Sequence, residues 1–134
     1  ISAVEILCKG NAQYNLMHCV SAYPCNPENA NLQRLSWLGS LHDNIGYSDH
    51  TQGTLAPALA ISMGATVIEK HFTIDKSLPG RDNKFALDPE EFAEMVRLIA
   101  ISELNLINHG RGFQQIEEDT VTNYRGRWEP QDYS

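Results

Sequence analysis

Three short apolar runs, each followed by a helical pattern, restrict this chain more than any other feature. The first run is Tyr14-Asn15-Leu16-Met17-His18-Cys19-Val20, the second Ile45-Gly46-Tyr47, and the third the β-branched stretch Thr66-Val67-Ile68-Glu69. After the first, Asn26-Pro27-Glu28 reads as an N-cap with proline at the first helical position, and Leu32, Leu35, Leu38 and Leu41 recur at helical spacing. After the second, a helical pattern from Leu55 to Met63 is ended by Gly64. After the third and a polar loop, Asp88-Pro89-Glu90-Glu91 forms a capping box opening an amphipathic helix with Phe92, Met95, Val96, Ile99 and Leu106. Strand, helix, strand, helix, strand, helix implies a parallel sheet with crossover helices. The pattern fits either an open α/β sheet or a piece of a (β/α)8 barrel. In both, ligands sit beyond the carboxyl ends of the strands.

Composition narrows the function classes. The chain has 134 residues, enough for one domain, and its 42% apolar content is that of a globular protein. A net charge of -7 without any basic stripe argues against nucleic-acid binding. Cys8, Cys19 and Cys25 are odd in number, which favours a reducing compartment. No apolar run approaches the roughly 20 residues of a membrane span, and no signal peptide opens the chain. A cytoplasmic protein is expected. The opening Ile1-Ser2-Ala3-Val4-Glu5-Ile6 lacks a methionine and reads as the middle of a helix, so a fragment is expected.

Polar residues crowd the three strand ends: His18-Cys19-Val20-Ser21-Ala22-Tyr23-Pro24, Tyr47-Ser48-Asp49-His50-Thr51 and Glu69-Lys70-His71-Phe72-Thr73. Neighbouring parallel strands lie about 5 Å apart, so His50 and His71 can converge on one ion. Histidine-only spacing across strands is not a defined metal motif. Two unrelated histidines, one capping a helix and one in the core, satisfy the pattern too. Glu69 and Asp82 add carboxylates nearby. In the loop between Asp75 and Asp88, Arg81 and Lys84 can hold an anion, or the loop is an ordinary solvated turn. His18 reads as a hydrogen-bonded core residue, His42 and His109 as surface, Trp37 and Phe92 as core, and Glu117-Glu118 as a solvated charge run.

Together these stretches resemble the N-acetylneuraminate (sialic acid) synthase family, which includes pseudaminic acid, legionaminic acid and spore-coat polysaccharide synthases. The resemblance runs from about Leu16 to Ile99. It rests on His18-Cys19-Val20-Ser21-Ala22-Tyr23-Pro24, on Gly46-Tyr47-Ser48-Asp49-His50-Thr51, on Gly64-Ala65-Thr66-Val67-Ile68-Glu69-Lys70-His71-Phe72-Thr73, and on Gly80-Arg81-Asp82. It implies a TIM (β/α)8 barrel, with this chain as the C-terminal portion, about strands six to eight. Residues 1–110 are then barrel and 111–134 a tail or linker. It implies that His50 and His71 ligate a divalent metal, typically Mn2+, with Mg2+ or Co2+ as alternatives. Ser21 and Ser48 match positions that bind phosphoenolpyruvate, and Tyr23 and Asp82 match the amino-sugar pocket. Glu69 matches a carboxylate near the metal, acting through water.

The implied reaction joins phosphoenolpyruvate to an N-acylated hexosamine such as N-acetylmannosamine, giving a sialic or other nonulosonic acid plus phosphate. Asp82 is read as holding a sugar hydroxyl or a water on the metal; unchanged turnover in Asp82→Ala excludes that role.

Departures from the family pattern qualify what carries over. Asn83-Lys84-Phe85-Ala86-Leu87 stands where sialic acid synthases carry a histidine and a serine-containing stretch, so the acceptor can be a pseudaminic- or legionaminic-type precursor. Asn123-Tyr124-Arg125-Gly126-Arg127-Trp128 resembles only loosely the link to the family's antifreeze-like domain, which has no counterpart here. In the family that domain reaches across a homodimer. The family's acid/base glutamate and phosphoenolpyruvate-binding lysines lie on earlier strands. The chain alone is therefore expected to be inactive; a non-catalytic fragment retaining metal or ligand binding is the alternative from another class.

Overall fold

The computed structural model describes residues 2–124. It holds three parallel strands in the order β1-β2-β3: β1 (Leu16–Cys19), β2 (Ile45–Asp49) and β3 (Val67–Lys70). Helices α2 (Arg34–Gly39), α3 (Leu55–Ser62) and α4 (Pro89–Asn105) follow the successive strands. A short α1 (Ala3–Lys9) precedes them and α5 (Glu118–Tyr124) comes last. The strand–helix alternation agrees with the sequence pattern, and the sheet is a three-stranded one. The Arg125-to-Trp128 part of the loosely matching tail lies outside the described residues.

Local chemistry sets the element ends. Asp88 accepts from the Glu91 amide at 2.9 Å and Glu91 accepts from the Asp88 amide at 3.0 Å, the reciprocal box anticipated for α4. Gly64 has φ +94, a left-handed conformation that glycine adopts without cost just past a helix. At the opening of the chain the expectation is corrected. Ser2 and Glu5 form a capping box, so a helix starts at Ala3 and the described residues from Ser2 on are a helix start, not a helix interior.

The helix after β1 is also shorter than the leucine spacing predicts. Pro27–Asn29 is a single 3-10 turn, and Asn31 at φ +46 interrupts any continuous helix. Leu35 alone is fully buried on α2. Trp37, expected in the core, is 61% exposed, because two helical residues turn it about 200° from Leu35. Leu41 lies past the helix and is exposed. On α4, Met95 is buried and Phe92 packs edge-on against Phe72, with ring centroids 5.5 Å apart. Val96 and Leu106 are exposed, against the amphipathic reading; Leu106 is the residue that caps the helix.

The core forms on the helix side of the sheet. Leu35, Ile45, Tyr47, Ala60 and Ala65 make one cluster, with Leu32, Leu38, Ala56, Met63 and Ile68 packed around it. Side chains alternate along a strand, so Gly46 and Ser48 face away from Ile45, Tyr47 and Asp49. The register aligns Met17, Gly46 and Val67 in one row and Cys19, Ser48 and Glu69 in the next. Met17 and Val67 are partly exposed on this second face, at 36% and 37%. A Cβ on Gly46 would lie 2.8 Å from the Val67 carbonyl oxygen and 3.2 Å from Met17 Cε. Glycine is what lets the two flanking side chains close over the row.

Three outcomes follow. Gly46→Ala lowers unfolding free energy by about 1–3 kcal/mol through overpacking, read as a lower urea midpoint; an unchanged midpoint would show that the row can spread. Leu35→Ala costs about 2–5 kcal/mol in the same titration, because it opens a cavity in the cluster. Glu91 has its carboxyl held below the ordinary range by Lys76 first and by the Asp88 amide next. A carboxyl lowered on folding stabilises above its ordinary pKa, and this is lost as pH falls through the folded value. Stability should therefore decline below about pH 4, and Glu91→Gln should flatten that acid limb in pH-dependent melting.

Candidate functional site

All three strands run the same way, so their carboxyl ends open on one side of the sheet. A cavity of about 130 Å3 lies there, lined by Ser48, Asp49, His50, Glu69, Lys70 and His71. Ser48 and Glu69 are register partners on the face away from the helices, and Ser48 Oγ donates to Glu69 Oε1 at 2.6 Å. Each histidine follows directly after the last residue of its strand. The rings of His50 and His71 have centroids 5.2 Å apart.

The tautomer of His50 follows from its neighbour. Its Nδ1 lies 3.0 Å from the Val20 carbonyl oxygen. A carbonyl only accepts, so Nδ1 carries the proton and, in the neutral ring, Nε2 keeps a lone pair. This is the arrangement found behind metal-ligating histidines, whose second nitrogen donates to an acceptor. Two imidazoles sharing one ion have centroids roughly 5 Å apart when each metal–nitrogen bond is about 2.1 Å. The 5.2 Å between the two ring centroids is close to that spacing. No cluster of three or more His, Cys, Asp or Glu able to hold a metal occurs among the described residues. What this end of the sheet brings together is a pair of imidazoles, His50 and His71.

Other anticipated residues gather around this pair to different extents. Tyr23 is half-exposed and packs on both imidazoles, 4.3 Å from the ring of His50 and 5.9 Å from that of His71. Asp82 Oδ2 approaches His71 Nδ1 to 3.8 Å, an electrostatic contact too long for a hydrogen bond. Ser21 is not brought to the cavity; its hydroxyl lies 3.9 Å from Cys19 Sγ, which in turn is 3.8 Å from His50 Nδ1. Arg81 and Lys84 are exposed on the loop and line no part of the cavity. His18 is buried as expected, with Nε2 2.7 Å from the Ala30 carbonyl and its ring stacked on Tyr47. His109 is exposed, whereas His42 is half-buried beside Tyr14, with ring centroids 4.4 Å apart.

Sequence reasoning missed two features. Phe85 joins the aromatic group, 6.0 Å from Tyr23 and 5.8 Å from His71, so one face of the site is apolar. The Asp49–Lys70 ion pair, 2.6 Å long, lies buried on the helix side, each partner one residue before one of the two histidines. Its signal was present: Asp-His and Lys-His recur at the ends of adjacent strands. Tyr47 donates to Asp49 Oδ1 at 2.9 Å. Burial, and then the charge of Asp49, pushes the Tyr47 phenol far above its usual range, so it remains a donor.

Residues 1–110 match the NeuB family. The chain belongs to the NeuB family. It is 48% identical over 104 residues to the spore coat polysaccharide biosynthesis protein SpsE of Bacillus subtilis, covering 75% of this chain and 28% of that protein. It is 49% identical over 89 residues to an N,N'-diacetyllegionaminic acid synthase of Legionella pneumophila, covering 66% and 25%. Among solved structures it superposes on the N-acetylneuraminic acid (sialic acid) synthetase of Leptospira borgpetersenii with a TM-score of 0.80 at 37% identity, over 90% of this chain and 42% of that one. The NeuB chain thus spans about a quarter to a third of the length of such curated relatives. No helix among its described residues is long and apolar enough to cross a membrane.

The cysteines of this NeuB chain provide a check on the site's packing. Cys8 and Cys19 are exposed, whereas Cys25 is 3% exposed and its thiol is raised first by burial and then by the charge of Asp49. Native-state alkylation followed by mass spectrometry should modify Cys8 and Cys19 and spare Cys25 until denaturant is added. Rapid labelling of Cys25 would mean that the segment after β1 does not hold to the end of β2, where the Cys25 amide donates to the His50 carbonyl at 2.7 Å.

Proposed function

We propose that this chain supplies three consecutive strands, about the sixth to the eighth, of a (β/α)8 barrel. The barrel condenses phosphoenolpyruvate with an N-acylated amino sugar. The new carbon–carbon bond joins the methylene carbon of phosphoenolpyruvate to the sugar aldehyde; water adds at the former enol carbon and phosphate leaves by carbon–oxygen cleavage. The paired imidazoles of His50 and His71 carry this reading: they lie at the strand ends with the spacing of a shared cation. They do so in a chain whose relatives are named synthases of nonulosonic acids. Met17 and Val67, partly exposed on the sheet face away from the helices, support the barrel, because further strands would cover such apolar surface.

His50 and His71 hold a divalent cation, Mn2+ by preference, with Mg2+ or Co2+ as substitutes. The chemistry such an ion supplies is polarisation of the aldehyde oxygen. Ser48, which lines the cavity, binds phosphoenolpyruvate; Ser21 reaches it only from outside the cavity, beside Cys19, and Glu69 orients the Ser48 hydroxyl. Asp82 and Tyr23 hold the sugar beside His71. The apolar wall formed by Phe85 and Tyr23 favours an acceptor with more apolar surface than N-acetylmannosamine, in line with pseudaminic- or legionaminic-type precursors.

Phosphate release from phosphoenolpyruvate tests the reading, using the whole protein that contains this chain, Mn2+ and a panel of N-acylated hexosamines. Release should depend on one class of sugar and fall to background in His50→Ala and His71→Ala. Ser48→Ala should raise KM for phosphoenolpyruvate about tenfold, the loss of one hydrogen bond to a charged group. Release independent of sugar or of both histidines would refute the synthase. Cation binding without turnover would leave a binding module.

A further inference from the structure

The ion pair that precedes the histidines is not needed to explain the fold. Burying Asp49 and Lys70 removes two charges from water, and apolar residues of similar shape would stabilise a sheet as well or better. Both residues border the cavity, but their side chains are 0% and 1% exposed and are engaged with each other. What distinguishes the pair is its place in the chain. Asp49 immediately precedes His50, and Lys70 immediately precedes His71. The two are register partners on adjacent strands.

The bonds reach past His50 as well. Asp49 Oδ1 accepts from the Thr51 amide at 2.8 Å, and Asp49 Oδ2 accepts from Thr51 Oγ1 at 3.1 Å. Lys70 Nζ donates to Asp49 Oδ2 at 2.6 Å and also to the Thr51 carbonyl. The residues on both sides of His50 are thus tied to the residue that precedes His71. A regular ladder fixes strand spacing only as far as the strands extend, and both histidines lie one residue beyond. The ion pair extends that constraint across the place where the imidazoles depart.

We infer that Asp49 and Lys70 are positioning residues that set the separation and orientation of the His50 and His71 rings. This rests on the reading of those rings as cation ligands. Supporting groups behind metal ligands typically change affinity by about 10–100-fold when removed. Here the support acts through the backbone of both ligands together, so its loss alters the geometry of the site as well as its affinity.

Cobalt(II) is the probe, because its visible absorption reports ligand geometry without turnover. It is titrated into the whole protein containing this chain, beside His50→Ala and the double variant Asp49→Asn/Lys70→Met. The double variant leaves no unpaired buried charge, and its amide oxygen still accepts from Thr51. It should melt as a folded protein, bind Co2+ about 10–100-fold more weakly and show a shifted absorption band. A folded double variant with wild-type affinity and band overturns the positioning role and leaves the synthase reading intact. Cobalt binding that is absent from the wild type, or unchanged in His50→Ala, overturns the cation site and the positioning role together. Should the double variant fail to fold, Lys70→Arg keeps the buried charge but moves the donor nitrogen. A displaced band in Lys70→Arg supports the inference, and an unchanged band overturns it.

Discussion

The parallel register of the three strands is the constraint on which everything else depends. Because β1, β2 and β3 run in one direction and stay in step, their last residues arrive at the same level. Cys19 pairs with Ser48, Ser48 with Glu69, and Asp49 with Lys70. A slip of one residue would turn every one of these side chains to the opposite face. The cavity, the ion pair and the two histidines exist only in this alignment.

The pleat then sorts the chemistry into two layers. Toward the helices it places groups that hold the backbone: His18 on the Ala30 carbonyl, Tyr47 on Asp49, and Asp49 on Lys70 and Thr51. Away from the helices it places Ser48 and Glu69, which bond to each other and line the cavity. No buried side-chain nitrogen or oxygen among the described residues lacks a hydrogen-bond partner. That condition is demanding for a sheet end holding so many charges, and Asp49 meets much of it by accepting from the amide and hydroxyl of Thr51, the Tyr47 phenol and the Lys70 ammonium.

Particular residues mark how far the sequence could be read. The capping box at Asp88, the glycine after α3 and the β-branched third strand are local signals, and the structure follows them. Trp37 was misassigned because it lies about 200° from Leu35 around α2, and Val96 because periodicity identifies a face but not the number of turns over which a partner covers it. The leucines after β1 misled for a related reason: Asn31 in a left-handed conformation breaks the helix that their spacing suggests. Phe85 was quoted only as a departure from the family pattern, since a loop residue's neighbours are not encoded by spacing.

The sequence by itself determined the strand–helix alternation, the location of the polar residues at the strand ends and the resemblance that led to the NeuB family. These depend on short-range periodicity, capping and contiguous motifs, which survive in one dimension. Only the tertiary structure decided that His50 and His71 stand 5.2 Å apart, that Ser21 stays outside the cavity and that Asp49 pairs with Lys70. Those relations join residues 20 or more positions apart in the chain, and they are set by strand register and burial, which local sequence preferences do not specify.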